Sequence, residues 1–393
     1  MTFSCDVSKR SCKNIGNKPM NNKSIEHFDG PRACKVYDLG PVLDTANLVM
    51  RTLATPPGQP QLLPTIGYDW AHVYNHGNLD NIRLITKNGL AVSSVAVFPG
   101  TTITPLGSIS VGGINCFVTH PEYRRRGLGE AVLLDAIEKM KINGHHIGLL
   151  STNIEGYYRR YGWESSGRKR QFFLNKGNVD LLSYSPGVQI TEDWKPYASQ
   201  LRDLHEREHL ISTRSAEIFP LLFERRLDRV FVATKHGKVE GYVGVKGLEM
   251  QEYGGDYEVV ESLIHSMFSN LYDPDISAST YAPGEDPTFE MTISCPDSLE
   301  GLSGILLRKG IPNTLDYIGM IVILDAPRLF EALNIREISL CQQEAGWLLE
   351  YGRKTLEVSE HELVKLVFGP ELFPDFAPEI FPIEFYQWPL DKV

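Results

Sequence analysis

The sequence lacks any run of about 18 consecutive apolar residues, the length that a membrane-spanning helix needs, so no membrane partner is expected. No apolar segment follows the polar residues at the start, and a secretory signal peptide is therefore not expected. The six cysteines are scattered and form no Cys-x-x-Cys pair, which excludes a disulfide framework and a zinc ribbon. A reduced, cytoplasmic compartment is the simplest interpretation of this cysteine usage.

Basic residues do not predominate either. The 39 lysines and arginines are outnumbered by 49 aspartates and glutamates, and the net charge is −10. This balance argues against nucleic acid as the main partner and favours a cationic ligand. The chain is 42% hydrophobic and 22% charged, which excludes wholesale disorder. At roughly 150 residues per domain, its length predicts two or three domains.

Strand and helix patterns alternate along the first half of the chain. Residues 1–32 are polar and are interpreted as a flexible tail, and residues 36–49 are predicted as a short strand followed by a helix. Asn88-Gly89 lies between two strand-like runs and predicts a β-hairpin. Apolar residues between Gly127 and Met140 fall on one helical face. This alternation predicts an α/β layer architecture with a mixed sheet.

The second half of the chain has a similar mixture of signals. Residues 257–271 have a helical pattern, and residues 318–324 have the apolar pattern of a strand. Ser359 and Glu362 form a capping signal before a predicted helix over 363–368. The final segment, 373–393, is rich in proline and aromatic residues, and we expect it to pack onto the rest of the chain.

The most informative segment runs from Cys116 to Gly129, where an apolar strand is followed by Arg-Arg-x-Gly-x-Gly at the start of a helix. A helix amino terminus has unpaired N–H groups and a partial positive charge. Glycines let an anion approach this backbone closely, and arginines add charge-assisted hydrogen bonds. The segment therefore predicts a diphosphate-binding turn, and a basic helix start without a ligand is the alternative. It is neither a Walker loop nor a dinucleotide fingerprint, because the residues that define them are absent.

Two segments together resemble the GNAT acyltransferases. Residues 120–129 resemble the acetyl-CoA loop of that superfamily, and residues 153–163 resemble its second signature. The chain as a whole resembles the Eis-type N-acetyltransferases. This resemblance implies tandem GNAT folds, with a catalytic domain at 33–182 and a degenerate second domain at 183–315. It also implies a sterol-carrier-protein-like (SCP2-like) domain at 316–393.

The resemblance further implies acetyl transfer from acetyl-CoA to a primary amine, carried by a small molecule or a peptide, without a metal. It implies that Phe117, Val118 and Thr119 bind the pantetheine and the carbonyl. Asn153 and Ile154 would contact the pantetheine arm. The residues that the resemblance assigns to the diphosphate are Arg125, Arg126, Gly127, Leu128, Gly129 and Glu130.

Two groups are expected to move protons. The resemblance implies that Tyr158 protonates the leaving thiolate, with Tyr157 and Tyr161 as further candidates and simple core packing as the alternative. It also implies that the terminal carboxylate of Val393 takes the proton of the amine, because such a carboxylate is ionised at neutral pH. A frayed terminus is the alternative for Val393. The resemblance implies a homo-oligomer, such as a hexamer.

Other interpretations of the sequence stay open. His205 to His209 matches H-E-x-x-H, although its many charges favour a solvated helix face over a zinc site. Cys116 is interpreted as a buried thiol rather than a nucleophile. Alternatives to acetyl transfer are a non-catalytic protein that binds or senses acyl-CoA, and an acyltransferase that uses a longer acyl donor.

Overall fold

A computed structural model describes residues 27–55, 65–184, 187–271, 290–371, 373 and 375–392. Over these residues the chain forms a mixed α/β fold with two large sheets and one small sheet. No helix in this part of the chain is both long enough and apolar enough to cross a membrane.

The first large sheet has eight strands. They are β1 (Asp29–Ala33), β2 (Ile82–Lys87), β3 (Leu90–Thr104), β4 (Gly107–Thr119), β5 (Ile147–Leu150), β6 (Glu164–Ser166), β9 (Ile211–Ser212) and β15 (Gly319–Ile323). The strand order is β1-β2-β3-β4-β5-β15-β6, and β9 pairs with the free edge of β3 beyond β2. Only the β4–β5 pair is parallel.

Helices cover both faces of this sheet. The helices of this half are α1 (Leu39–Asn47), α2 (Ile66–Asp69), α3 (Leu128–Ile142) and α4 (Glu155–Arg159). The apolar stripe of α3 buries Val132, Leu133 and Met140 in one cluster, as its sequence pattern predicts. Residues of α1 and α2 belong to a separate buried cluster that also contains Cys116.

The second large sheet has seven strands. They are β7 (Lys169–Asn175), β8 (Gln189–Thr191), β10 (Arg229–Lys235), β11 (Lys238–Lys246), β12 (Glu249–Gly255), β13 (Glu290–Pro296) and β14 (Asn313–Asp316). The order is β8-β10-β11-β12-β13-β7-β14, and only the β12–β13 pair is parallel. The helices of this half are α5 (Ala198–His205), α6 (Ile218–Arg226), α7 (Tyr257–Leu271) and α8 (Gly301–Arg308). The second sheet thus repeats the order and orientation of the first.

Strand pairing crosses both of the predicted domain boundaries. Strand β7 was expected in the domain at 33–182, but it pairs with β13 and β14 in the second sheet. Strand β15 was expected in the domain at 316–393, but it lies between β5 and β6 in the first sheet. Each half therefore gives one strand to the other. An apolar strand offers the same backbone ladder to either sheet, so its sequence pattern does not indicate its neighbours.

The remaining residues form a smaller layer. It contains the antiparallel sheet β16 (Ile338–Gln343), β17 (Gly346–Tyr351) and β18 (Lys354–Val358), with helices α9 (Ala326–Ala332) and α10 (Glu360–Phe368). The predicted capping box of α10 is confirmed, since the Glu362 amide donates to Ser359 Oγ and the Ser359 amide donates to the Glu362 carboxylate. Phe385, Tyr386 and Trp388 of the final segment are buried, which confirms that this segment packs on the rest. The likeness of residues 316–393 to a sterol-carrier domain stays a prediction.

The amino-terminal prediction needs correction. Residues 1–26 lie outside the described residues, but Asp29–Ala33 is a strand that pairs with β2 rather than part of a flexible tail. Val36–Asp38 is a 3₁₀ turn instead of the predicted strand. Arg32 explains both features, because its guanidinium pairs with Asp29 and with the buried Asp38 and so ties the strand to the turn.

Candidate active site

The two parallel strands at the centre of the first sheet separate towards their carboxyl ends. β4 pairs with β5 only along Val111–Gly113, although β4 continues to Thr119. On its other side, β4 bulges against β3: Val118 is opposite Ser94 and Asn115 is opposite Ala96. Cys116 within this bulge has φ of 41°. A bulge leaves backbone groups unpaired, and here they lie next to the opening between β4 and β5.

A tight turn joins β4 to α3. Gly127 has φ of 77° and immediately precedes the helix, a conformation that a side chain would strain. A Cβ on Gly129 would lie 3.1 Å from Thr119 Oγ1 and 3.3 Å from Phe117 Cζ, so glycine lets the helix start close to the end of β4. The first N–H groups of α3 have no partner within the helix and carry partial positive charge. The geometry is that of an anion-binding turn.

The arginines of the turn are held in place by short-range contacts. Arg124 Nε donates to the Thr119 carbonyl at 3.2 Å, and the Arg126 guanidinium donates to the Glu122 carbonyl at 3.1 Å. Arg126 also lies over the Tyr123 ring, 5.2 Å from its centroid. All three arginines, Arg125 included, are exposed, so they add positive charge to the mouth of the opening.

One cavity of about 430 Å³ collects most of the predicted site residues. It lies between the end of β4, the turn and α4. The predicted residues that line it are Phe117, Val118, Thr119, Arg125, Gly127, Leu128, Gly129, Glu130, Ile154 and Tyr158. A groove of this size, with an anion-binding turn at one end and a phenol in its wall, suits an elongated ligand with a charged end.

Two predicted residues do not line this cavity, and a third lies outside the described residues. Arg126 turns back onto Tyr123, and Asn153 is exposed beside the cavity wall. Val393 lies outside the described residues. The preceding residue, Lys392, has its carbonyl bound by Arg226 at 2.5 Å and by Trp70 Nε1 at 3.4 Å, so the chain is anchored up to that point.

Tyr158 is placed in the cavity wall by the short helix α4. Its side chain packs against Phe117, Tyr157 and Trp163 and is only 6% exposed. This burial raises the pKa of Tyr158 to about 12. The phenol therefore keeps its proton at neutral pH, which is the state that a proton donor needs.

Several lining residues were missed by sequence reasoning. Tyr123 and Arg124 were part of the motif but were assigned no role, whereas Arg160 gave no separate signal. Val49 follows α1 and reaches the cavity from a distant part of the sequence, so nothing local could reveal it. The two further candidates for the proton donor, Tyr157 and Tyr161, also line the cavity. Their rings lie 4.9 Å and 5.5 Å from the Arg160 guanidinium.

A family model described as an acetyltransferase (GNAT) domain matches residues 44–166, which contain the bulge, the turn and α4. Residues 44–166 form a GNAT acetyltransferase domain. The chain is therefore an acyltransferase, and acetyltransferases of the GNAT class use acetyl-CoA as donor and act on amines. No curated protein matches the sequence.

Solved structures extend the likeness in fold to most of the chain. A conserved protein of unknown function from Enterococcus faecalis V583, described as a probable N-acyltransferase, has a TM-score of 0.58 at 12% identity and 85% coverage of each chain. A GCN5-related N-acetyltransferase from Kribbella flavida has a TM-score of 0.54 at 16% identity, covering 82% of this chain and 79% of its own. Eis1 from Mycobacterium abscessus has a TM-score of 0.54 at 10% identity, covering 88% and 90%. At these identities the likeness shows the fold alone.

The structure also shows the surroundings of His205, His209 and Cys116, which the sequence analysis considered as a metal site and a nucleophile. Helix α5 ends at His205, whose Nδ1 lies 2.8 Å from the Glu252 carboxylate, whereas His209 is exposed and pairs with Glu384 at 2.6 Å. These histidines therefore do not share a helix face. Burial raises the pKa of the Cys116 thiol to about 11, so this group is protonated and unreactive at neutral pH.

Proposed function

We propose that this protein is an acetyl-CoA-dependent N-acetyltransferase of the Eis-like type that transfers the acetyl group to a primary amine. The supporting observation is that a single cavity joins the Arg–Gly turn, the separated end of β4 and the Tyr158 phenol. An anion-binding turn alone would fit many phosphorylated ligands. The phenol in the same cavity adds a proton donor.

The residues of the turn fit the diphosphate of coenzyme A. Backbone N–H groups at the start of α3 face the cavity, and the lack of a side chain on Gly129 leaves their approach open. Arg125 adds a charge-assisted hydrogen bond. The donor supplies the acetyl thioester, and the backbone N–H groups of the β4 bulge at Cys116 and Phe117 would stabilise the negative charge that develops on its carbonyl oxygen.

Proton transfers complete the reaction. As the amine nitrogen bonds to the carbonyl carbon and the carbon–sulfur bond breaks, Tyr158 donates its phenolic proton to the sulfur and later recovers one from solvent. The amine also loses a proton, and the resemblance to Eis-type enzymes assigns its acceptance to the Val393 carboxylate. This role of Val393 stays a prediction, as do the SCP2-like domain and the homo-oligomer.

The decisive experiment combines binding and turnover. Calorimetry with coenzyme A tests the turn, and release of free thiol from acetyl-CoA with a panel of primary amines tests the reaction. In Tyr158→Phe we expect kcat to fall by roughly 10²–10⁴, because a general acid is lost, and the Kd of coenzyme A to stay within about twofold. Tyr161→Phe is the matched control from the same cavity and should retain activity.

Other outcomes separate the alternatives. An absence of heat on titration with coenzyme A would overturn the proposal as a whole. Tight binding without turnover of any amine would favour an acyl-CoA-binding or sensing protein, in which Tyr158→Phe has no effect. Faster turnover with a longer acyl-CoA would change the donor but keep the mechanism.

A further inference from the structure

The helix that carries Tyr158 is too short to hold its own position. Helix α4 spans only Glu155–Arg159, and isolated helices of fewer than about 12 residues are marginal in water. Its placement therefore depends on contacts with the rest of the chain. A proton donor is effective only when its hydroxyl lies within hydrogen-bond distance of the group that it protonates, so whatever fixes α4 also bears on the reaction.

Arg159, the last residue of α4, ties the helix to strand β6. Its Nε and Nη2 both donate to Oε1 of Glu164, at 3.0 and 2.9 Å. We call this pair the α4 clasp. Nη2 also donates to Glu155 at 2.8 Å, but both of these side chains are more than 40% exposed, and such a pair contributes little. The clasp is therefore the contact of Arg159 that holds the helix.

The acidic partner in the α4 clasp is a buried carboxylate. The side chain of Glu164 is 9% exposed, and its Oε1 also accepts a hydrogen bond from the Ser165 amide at 3.0 Å. Burial acts to raise the pKa of Glu164, but the hydrogen bonds from Arg159 and from the Ser165 amide outweigh it, and the pKa is lowered. A buried ion pair adds little net stability over apolar packing, but its directional hydrogen bonds fix the relative placement of the two elements that it joins.

Strand β6 is itself anchored by the carboxyl-terminal part of the chain. Strand β15 pairs with all three of its residues. Ser166 Oγ donates to the Gly369 carbonyl at 2.6 Å, and His361 Nδ1 of α10 lies 3.6 Å from Oε2 of Glu164. The clasp thus fixes α4 relative to elements that lie outside the GNAT domain at 44–166.

The phenol and the clasp join the same two elements through adjacent residues. Tyr158 precedes Arg159, and its ring packs edge-to-face, at 6.3 Å, on Trp163, which precedes Glu164 and is fully buried. Neither Arg159 nor Glu164 is among the residues that line the donor cavity. The pair can therefore influence the reaction only through the group that it holds, and a misplacement of about 1 Å can cost roughly 100-fold in rate.

We propose that Glu164 is a positioning residue for the reaction, because it holds Arg159 and thereby sets where the Tyr158 hydroxyl stands relative to the leaving sulfur. This inference rests on the proposed function. It assigns no contact with the substrate to Glu164 or Arg159, and it leaves donor binding to the Gly127 turn, which belongs to a separate element.

The test is a double-mutant cycle, measured as release of thiol from acetyl-CoA with the best amine of the panel. In Arg159→Met, which keeps the apolar stem but removes the donors, we expect kcat to fall roughly 10–100-fold and the Kd of coenzyme A to stay within about threefold. In the Tyr158→Phe background the same change should cost at most about twofold more, because the clasp acts through the lost hydroxyl. Arg159→Lys restores one donor to Glu164 and should recover part of the loss.

A second variant keeps the volume of the buried side chain. Glu164→Gln weakens the clasp by removing its charge, and we expect kcat to fall about fivefold with the Kd of coenzyme A unchanged. Glu155→Gln, which removes only the exposed partner of Arg159, is the matched control and should keep kcat within about twofold.

Two results would overturn the inference and leave the proposed function intact. One is an unchanged kcat in both Arg159→Met and Glu164→Gln. The other is an equal loss from Arg159→Met with and without the Tyr158 hydroxyl, because this would show a general loss of active protein. Failure of the wild-type protein to bind coenzyme A or to turn over any amine, or a full kcat in Tyr158→Phe, would instead count against the proposed function.

Discussion

The two halves of the molecule repeat one arrangement of strands, and they differ at the turn before the long helix. In the first half, β4 leads through Arg125 and Gly127 into α3, and in the second half, β12 leads through Gly255 and Asp256 into α7. Both helices have 15 residues, and both follow a strand that pairs in parallel with the next strand of its sheet. The shared topology makes the chemical difference between the turns easy to isolate.

In the second half, the helix start is occupied by the protein itself. Asp256 Oδ1 accepts hydrogen bonds from the amides of Glu258 at 2.9 Å and Val259 at 3.3 Å. These are the N–H groups that a diphosphate would use, and the carboxylate repels a second anion. Helix α8, which corresponds in position to α4, contains no tyrosine. The comparison teaches that a few residues at one turn, rather than the topology, decide which half can bind the donor.

The cavity at this turn of the second half is also acidic. It measures about 450 Å³ and is lined by Asp203, Glu208, Glu240 and Asp256, with Arg207 and Lys238 as its basic residues. Burial raises the pKa of Glu208 to about 7, although the Tyr257 hydroxyl donates to this carboxyl at 2.8 Å. The acidic side chains of the lining still outnumber the basic ones, so a phosphorylated donor is disfavoured here by charge as well as by the occupied helix start.

The largest effect is expected when the turn before α3 is given an acidic residue, as Asp256 provides at the turn before α7. Gly127→Asp places a carboxylate at the start of α3, and we expect the affinity for coenzyme A to fall about 100-fold, because the carboxylate repels the diphosphate and caps the amides that would bind it. Gly127→Asn is the matched control: it adopts the same backbone conformation and caps the helix without charge, and should cost about tenfold. Calorimetry measures both. Equal affinities for the two variants would contradict an electrostatic role for this turn.

A second test uses the half-buried carboxyl of Glu208 in the second half. The folded chain keeps the proton of Glu208 up to about pH 7, whereas an ordinary glutamate loses it near 4.5, so this group lowers stability progressively as pH rises from 4.5 to 7. Glu208→Gln removes this loss, and we expect the gain in unfolding free energy to be roughly 2.5 kcal/mol larger at pH 8 than at pH 5. Denaturant unfolding at both pH values measures the difference.

The exposed Glu206 gives the control for this test, because Glu206→Gln should change stability little at either pH. A gain for Glu208→Gln that is the same at both pH values would show that packing, rather than ionisation, is responsible.

The smallest expected effect concerns the cap of α7. Asp256→Ala removes the acceptor for two helix amides and should lower stability by about 1 kcal/mol, whereas Asp256→Asn keeps an acceptor and should cost a few tenths at most. Thermal unfolding compares the two variants. Neither should create a site for coenzyme A, because the acidic cavity remains. Binding at the second turn in Asp256→Ala would show that the cap alone had blocked it.

Local patterns were sufficient for much of the first half. The Asn88-Gly89 hairpin is confirmed with φ of 51° and 81°, and the helix predicted from Gly127 begins at Leu128. These features depend on residues that are close in sequence, namely turn residues that accept positive φ and apolar residues spaced along one helix face. The motif at 116–129 indicated the turn for the same reason.

Features that depend on distant contacts were missed or misplaced. Arg126 belongs to the motif, but its guanidinium lies over the Tyr123 ring and the residue does not line the cavity. Val49 and His72 acquire their surroundings only when α1 and α2 pack onto the sheet. The exchange of β7 and β15 between the sheets could not be predicted either, since both strands satisfy the same backbone pairing in either position.

The sequence by itself determined where the helix starts, where the backbone turns with positive φ, and that an arginine- and glycine-containing turn lies between an apolar strand and a helix. These properties depend on the intrinsic conformational preferences of glycine, asparagine and the apolar repeat. Only the tertiary structure decided which strands share a sheet, which side chains meet Tyr158 in one cavity, and that His72 and Asp391 line the same cavity. Such juxtapositions depend on packing between elements far apart in the chain, and packing is a property of the whole folded molecule.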